Sequence, residues 1–179
     1  MIQQQIEAYC RLKGFRPQTE SRWLAFSADD REALLGLAQD LKPGENHFKD
    51  LLDWFEEIAL REGMSLARIL SREELRSIAT DPRLGRNDKI KRLKDEVRRL
   101  RFPRLARIEE EIQRRVRELK LKPQFQLTIP VGLEGGAVTI EMKAGSYDEL
   151  KRLSAELARA VEAEEMREIF ALMRGERVT

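Results

Sequence analysis

The sequence predicts an α+β protein that is mainly α-helical, with an N-terminal helical bundle followed by a helix–β-hairpin–helix unit. Hydrophobic residues make up 41% of the 179 residues but aromatic residues only 6%, a composition typical of amphipathic helices packed through aliphatic side chains. Apolar residues recur at helical spacings of three and four until they begin to alternate after Pro123. We therefore expect a helical domain over 1–82, a basic helix or connector over 83–104, and a helix–strand–strand–helix dimerisation unit over 105–179.

Capping and breaking residues delimit the N-terminal helices. Residues 2–13 form a predicted helix that a glycine ends. Ser27, followed by Ala and two aspartates, predicts the N-cap of the next long helix. Apolar residues over 48–59 predict a third helix that ends at Gly63. A Ser-x-x-Glu capping box at Ser71 predicts a further helix start.

Residues 55–70 admit two interpretations. In a helix-turn-helix, Gly63 forms the turn and the following helix presents Ser65, Arg68 and Arg72 to a DNA groove. In the other interpretation, the segment is an ordinary helical hairpin that turns at the glycine. The two glutamates that follow Arg72 would repel phosphates, which favours the hairpin.

Positive charge is concentrated between Arg83 and Lys122. This segment holds 16 Lys and Arg against 7 Asp and Glu, a net charge of +9, whereas the whole chain carries +2. Residues 1–82 hold 11 basic and 15 acidic side chains, and residues 123–179 hold 7 and 10. A positive band between two acidic regions is typical of a surface that meets phosphate or an acidic partner.

The basic segment contains two predicted helices that Pro103 separates, because proline cannot continue a helix. Asn87 and Asp88 are the predicted cap of the first helix, whose apolar positions form only a narrow seam. The second helix carries apolar residues from Leu105 to Leu119. The candidate nucleic-acid-binding residues are the cations spread along this rod: Lys89, Arg92, Arg98, Arg99, Arg101 and Arg104.

These cations favour contact with the phosphate backbone of DNA or RNA, with a strong dependence on salt. Phe102 is the single aromatic residue among them, so base stacking is not indicated. Two alternatives stay open. In the first, the segment binds an acidic protein partner, as in a cytoplasmic adaptor or scaffold. In the second, it forms a solvated face paired with carboxylates of the N-terminal helices.

A β-hairpin is predicted after Pro123. Apolar residues alternate with polar ones over 125–131 and again over 138–143, with a glycine-rich turn between them. A capping box at Ser146 opens a final helix whose apolar face extends toward Gly175.

The hairpin predicts a homodimer. A two-stranded sheet is marginal in water, and its unpaired edges invite another strand. A two-fold partner resolves both problems; in the alternative, the N-terminal helices cover the hairpin within one monomer. The candidate dimerisation residues are Val138, Ile140, Met142, Leu153 and Leu157.

Three stretches of the C-terminal part resemble a known family. The run from Leu105 to Val116, the segment Gly135–Glu141, and the helix start Ser146–Leu153 are similar to the C-terminal domain of ParB-type chromosome-partitioning proteins. The resemblance covers residues 105–160. It implies that this unit dimerises and contributes sequence-independent DNA binding through lysines.

The sequence also predicts that a catalytic site, a metal site and a membrane span are absent. No recognisable set of nucleophile, base and orienting group is present, so we expect a non-catalytic protein without a cofactor. His47 is the single histidine, and with only scattered carboxylates near it we expect no metal site. Cys10 is the single cysteine, which fits a reducing cytoplasm. The N-terminal residues lack signal-peptide features and no apolar run is long enough to span a membrane, so we expect a cytoplasmic location without membrane association.

Overall fold

A computed structural model describes residues 1–133 and 136–176 and confirms the predicted α+β, mainly α-helical class. The chain divides into two compact units, Met1–Phe102 and Pro103–Thr179. The helices of the first unit are α1 Ile2–Lys13, α2 Pro17–Leu24, α3 Ala28–Leu41, α4 Glu45–Glu62, α5 Leu66–Leu70, α6 Glu73–Thr80 and α7 Arg86–Arg101. The elements of the second are α8 Pro103–Glu118, β1 Phe125–Thr128, a 3-10 turn Val131–Leu133, β2 Thr139–Met142, α9 Tyr147–Glu162 and α10 Glu164–Met173.

The first unit is built around an aromatic cluster. The rings of Trp23 and Phe48 lie 4.5 Å apart, and Tyr9 and Phe15 contact them edge-on or tilted. Leu residues of α3 and α4 complete this core, which is continuous from α1 to α7. Several large side chains are thus removed from water, which is the main source of stability for a helical unit of this size.

Helix ends in the first unit follow the predicted glycine and serine signals at three places. Gly14 and Gly63 end α1 and α4 in the left-handed conformation, with φ of 67° and 63°, which glycine adopts at little cost. The Ser27 hydroxyl accepts a hydrogen bond from the Asp30 backbone N–H at 3.2 Å, which confirms the predicted N-cap.

Two predicted caps are wrong. The Ser71 hydroxyl donates to the Arg68 carbonyl at 2.8 Å and so closes α5, while α6 begins at Glu73 without a side-chain cap. Helix α7 begins at Arg86 with Gly85 as its N-cap, two residues before the predicted Asn87. In both cases several polar residues lie near the helix start, and the backbone geometry decides which one becomes the cap.

Helix α7 packs against α4 and α6 within the first unit. Its seam residues Ile90, Leu93 and Val97 are buried, as the narrow apolar stripe predicts. The predicted connector over 83–104 is therefore divided in the structure, because α7 ends at Arg101 and Pro103 begins α8 of the second unit.

In the second unit, α8 packs mainly against α10. The core that they share among the described residues is small, with Ile112, Ile169 and Leu172 as its buried members. The predicted single final helix is two helices, since Ala163 adopts an extended conformation between α9 and α10.

The predicted hairpin is present as a short antiparallel pair. Phe125 pairs with Met142 and Thr128 with Thr139, so both strands are shorter than the alternating pattern suggested. Glu134 and Gly135 of the predicted turn lie outside the described residues, as does the C-terminal end of the predicted unit at 177–179. The Ser146 hydroxyl accepts a hydrogen bond from the Glu149 N–H at 3.2 Å, which confirms the cap of α9.

Candidate nucleic-acid interface

The solvent side of α7 is strongly cationic. The seam of α7 faces the core, so its remaining positions point toward solvent or toward the neighbouring helices. Exposed cations on these positions are Arg86, Lys91, Arg92 and Arg99. Part of the basic segment in which the sequence predicts an interface is therefore solvent-exposed on α7 of the first unit.

Two predicted binding residues are engaged inside the first unit. The Lys89 ammonium donates to the Ala79 carbonyl at 2.8 Å, near the end of α6. The Arg101 guanidinium binds the Glu57 carboxylate with two donors, one of them 2.8 Å from Oε1. Arg101 also lies 5.9 Å from the centre of the Trp54 ring. Both cations hold helices together, which leaves less of their charge for a ligand.

The other four predicted residues lie in different surroundings. Arg92 is exposed on α7, and Arg98 is half-buried. Arg99 is exposed and lies 3.9 Å from Glu96, one turn earlier. Arg104 is exposed but belongs to α8 of the second unit. The structure thus brings Arg92, Arg98 and Arg99 together on one helix and places Arg104 on another unit.

A cavity of about 560 Å³ lies between α4 and α7, which we call the α4/α7 groove. Arg98 is the single predicted binding residue that lines it. The walls carry five cationic side chains and one carboxylate: Lys42, Arg86, Lys91, Lys94, Arg98 and Asp95. The remaining lining residues are Gly44, His47, Trp54, Asn87 and Ile90.

Sequence reasoning missed this convergence. Lys42 and His47 lie 44 and 39 positions before the start of α7 and outside the basic segment, and periodicity gives no information on which helices are neighbours. The available signal was the pair of uncapped helix starts, at Gly44 and at Gly85, each followed by polar residues. That signal identifies a place where backbone N–H groups lack partners, but it does not show that the two places adjoin.

Lys94 is the best-defined cation of the groove. Its Nζ lies 2.7 Å from Asp50 Oδ2, 3.4 Å from His47 Nδ1 and 5.1 Å from the centre of the Trp54 ring. The three contacts come from successive turns of α4, so they fix the ammonium position along that helix. A fixed ammonium is a better anion ligand than a mobile one, because less side-chain entropy is lost on binding.

The helix-turn-helix interpretation does not fit the structure. The helix after Gly63 is α5, which has five residues and buries Leu66 and Ile69. Arg72 forms an ion pair with Glu62 and is half-buried. A helix this short cannot place several side chains along a DNA groove, so the segment is a helical hairpin.

The predicted dimerisation residues differ in exposure. Val138, Ile140, Met142 and Leu157 are half-buried, whereas Leu153 has no exposed surface and is packed within its own chain. Other apolar side chains of the second unit are the exposed ones: Tyr147, Leu150, Val161 and Phe170. The large apolar side chains of α9 that are exposed, Tyr147, Leu150 and Val161, were not among the residues that the sequence predicted for dimerisation.

The described part of the chain contains neither a metal-binding cluster nor a membrane-spanning helix. Over residues 1–133 and 136–176, no three His, Cys, Asp or Glu side chains are grouped so that they would hold a metal ion. In the same residues, no helix combines the length and the apolar character needed to cross a membrane.

Comparisons with known proteins leave the site to be interpreted on its own geometry. No protein-family model matches this chain, and no curated protein or solved structure shows significant similarity to it. The resemblance of residues 105–160 to ParB-type C-terminal domains is neither supported nor opposed by these searches and stays a prediction.

Proposed function

We propose that this protein binds nucleic acid without catalysis, that it contacts the phosphate backbone through the cationic side of α7, and that its second unit forms a homodimer. The observation that carries the proposal is the set of exposed cations along α7. Arg86, Lys91 and Arg92 are exposed there, within a segment whose net charge is +9. Such a surface gains binding free energy by releasing counterions from the polyanion.

Contact is directed at phosphates rather than at bases. The exposed cations lie on a helix surface that carries no exposed aromatic ring between Arg86 and Arg101, all of which the structure describes. Trp54, in the adjacent groove, already has Lys94 and Arg101 against its ring. Sequence preference is therefore weak, and affinity falls steeply with salt.

Dimerisation would multiply this weak contact. Leu150 and Val161 of α9 expose 42% and 47% of their surface, which is a large fraction for aliphatic residues on one helix. Within the described residues, each strand of the sheet has a single neighbour, so its other edge is open. Two copies joined through this unit would hold two basic helices on one polymer, and each would raise the effective concentration of the other.

The test is a salt titration with a parallel mass measurement. Affinity for double-stranded DNA, single-stranded DNA and RNA is measured by fluorescence anisotropy at several salt concentrations, and mass by light scattering. We expect a straight line of negative slope in a plot of log affinity against log salt, from a protein of about twice the 20.9 kDa chain mass. Absence of binding at low salt would refute the proposal.

A second candidate is an adaptor that binds an acidic protein partner. It is favoured by the ion pairs Lys94–Asp50 and Arg101–Glu57, in which cations of α7 donate hydrogen bonds to carboxylates, the groups that an acidic partner would present. In the salt titration this candidate gives little affinity for nucleic acid at any salt concentration. A stoichiometric acidic protein that co-purifies with the chain and is lost in the R86Q/K91Q variant would then support it.

A further inference from the structure

We propose that the α4/α7 groove is a binding site for a terminal phosphate or an oligophosphate group, carried by a ligand of nucleotide size. The site shares Arg86 and Lys91 with the exposed surface proposed to contact a polymer backbone, but it also includes Lys42 and Lys94 in the groove, and it stands whether or not that contact occurs. It rests on the size of the cavity, on its cations and on two helix starts that line it.

The cavity has the right size for such a ligand. Its volume of about 560 Å³ lies within the range of about 300 to 1,000 Å³ that is typical of small-molecule sites. Ile90 and Trp54 supply an apolar part of the wall. Apolar walls displace water, which strengthens the attraction between the cations and an anion held among them.

The charge of the groove selects for an anion with several negative charges. Five cationic side chains face one carboxylate, that of Asp95. Asp50 neutralises part of Lys94 through their ion pair. Even without Lys94 and Arg98, the cations Lys42, Arg86 and Lys91 outnumber Asp95 by two, and this excess matches a group with two negative charges better than a single carboxylate.

Two helix starts add to this field. Lys94 pairs with Asp50, and Arg101 pairs with Glu57, so α4 and α7 run parallel and their N-terminal ends lie at the same end of the groove. Gly44 with His47 and Arg86 with Asn87 line that end. The N-cap residues of the two helices are Gly44 and Gly85, which have no side chain that could cap them. The N-terminal N–H groups and the positive end of a helix are suited to phosphate.

The carboxylates of the first turns of α4 and α7 do not line the groove. Glu45 turns away from the groove, because its Oε1 accepts hydrogen bonds from the Thr19 hydroxyl at 2.6 Å and the Arg16 N–H at 2.8 Å. Neither Glu45 nor Asp88 is among the groove-lining residues. An incoming phosphate would therefore meet the cations of the groove and the N-terminal end of α4, whereas the Asp88 carboxylate lies beside Gly85 at the start of α7.

Two sources present this phosphate group: a free nucleotide and the 5′ end of a nucleic acid. The probes are inorganic pyrophosphate, inorganic tripolyphosphate, a purine nucleoside triphosphate, and an oligonucleotide with and without a 5′ phosphate. Binding is measured by isothermal titration calorimetry at low salt on the full chain. The test variant is R86Q/K91Q, which removes two exposed cations from the groove.

The matched control is R92Q/R99Q, which removes the same charge from α7 at positions that do not line the groove. We expect saturable binding of tripolyphosphate and a loss of affinity of roughly tenfold or more in R86Q/K91Q, with less than about a threefold loss in the control. Circular dichroism establishes that both variants are folded.

The probes distinguish the two sources of the phosphate group. Tighter binding of the nucleoside triphosphate than of tripolyphosphate assigns a free nucleotide, and tighter binding of the phosphorylated oligonucleotide than of the unphosphorylated one assigns a nucleic-acid end. Failure of every probe to bind, or equal losses of tripolyphosphate affinity in the two variants, overturns the proposal. Either result leaves backbone binding to be judged by its own salt titration.

Discussion

The Lys94 ammonium lies 2.7 Å from the Asp50 carboxylate, between α7 and α4, and the Trp54 ring lies against it. This pair both positions the cation and competes with any anion that enters the α4/α7 groove. About half of the Asp50 side chain is exposed, so solvent screens the pair and its contribution to stability is small. Its effect on ligand binding is therefore larger than its effect on folding.

The variant Asp50→Asn tests this competition. It keeps the shape of the side chain and removes one negative charge beside the groove, so we expect oligophosphate to bind about fivefold more tightly at low salt. The measurement is calorimetric titration with tripolyphosphate. Asp40→Asn makes the same charge change on α3, at a residue that does not line the groove, and should leave affinity nearly unchanged. Equal affinity in D50N and the unmodified chain would contradict the prediction.

Backbone contact by α7 predicts a change in salt dependence. Each phosphate contact contributes about 0.9 to the slope of log affinity against log salt, so R92Q/R99Q should lower the slope by about 2. The control R68Q/R76Q removes two exposed arginines from α5 and α6. If the control lowers the slope equally, binding follows net charge alone and not the surface of α7.

The sequence predicted the order of elements well because local signals determine it. Glycines with positive φ end α1 and α4, and Pro103 cannot continue α7. The Ser27 and Ser146 caps form within three residues of the helix start. The Ser71 cap was wrong for the same local reason, because its hydroxyl had a competing acceptor in the Arg68 carbonyl.

The site was less predictable because its partners are distant in sequence. The basic segment was evident from charge alone, yet Lys94 and Arg101 meet α4 residues that lie 44 positions away. No spacing rule reveals that contact. For the same reason the sequence could not show that Lys89 and Arg101 are engaged internally while Lys91 lines a groove.

Removal of the Asp30 carboxylate, which is remote from the groove, should lower the stability of the first unit substantially. It is 7% exposed, and its Oδ1 accepts a hydrogen bond from the Ala67 N–H at 2.7 Å, which ties α3 to the first turn of α5. Asp30→Ala leaves that N–H without its partner, at a cost of about 2 kcal/mol. Asp29→Ala, at an exposed position of the same turn, should cost about 0.5 kcal/mol.

Chemical denaturation followed by tryptophan fluorescence measures both variants. The two tryptophans, Trp23 and Trp54, lie in the first unit, so the signal reports that unit and not the second. Similar denaturation midpoints for D30A and D29A would show that the Ala67 hydrogen bond contributes little.

Alkaline pH should destabilise the first unit. Burial raises the pKa of the Cys10 thiol to about 11 and that of the Tyr9 hydroxyl to about 12, from ordinary values of 9.0 and 10.0. Each folded-state pKa lies above the unfolded one, so the stabilisation is complete below about pH 9 and is lost as pH rises through 11 to 12. We expect the denaturation midpoint to fall between about pH 9 and pH 11. In Cys10→Ala the fall should be smaller, and an unchanged profile would contradict the assignment.

Dimerisation through the second unit predicts a monomeric variant. Leu150 and Val161 lie three turns apart on one face of α9 and are both exposed. The variant L150E/V161E places two charges on that face, where burial in an interface without partners is costly. Light scattering should then give the mass of one chain, 20.9 kDa.

The control Ala155→Glu adds a charge on the opposite, exposed side of α9 and should leave the dimer intact. If both variants stay dimeric, α9 is not the interface. If loss of the dimer also reduces affinity for long DNA but not for tripolyphosphate, the two basic helices act together on the polymer, as linked weak contacts require.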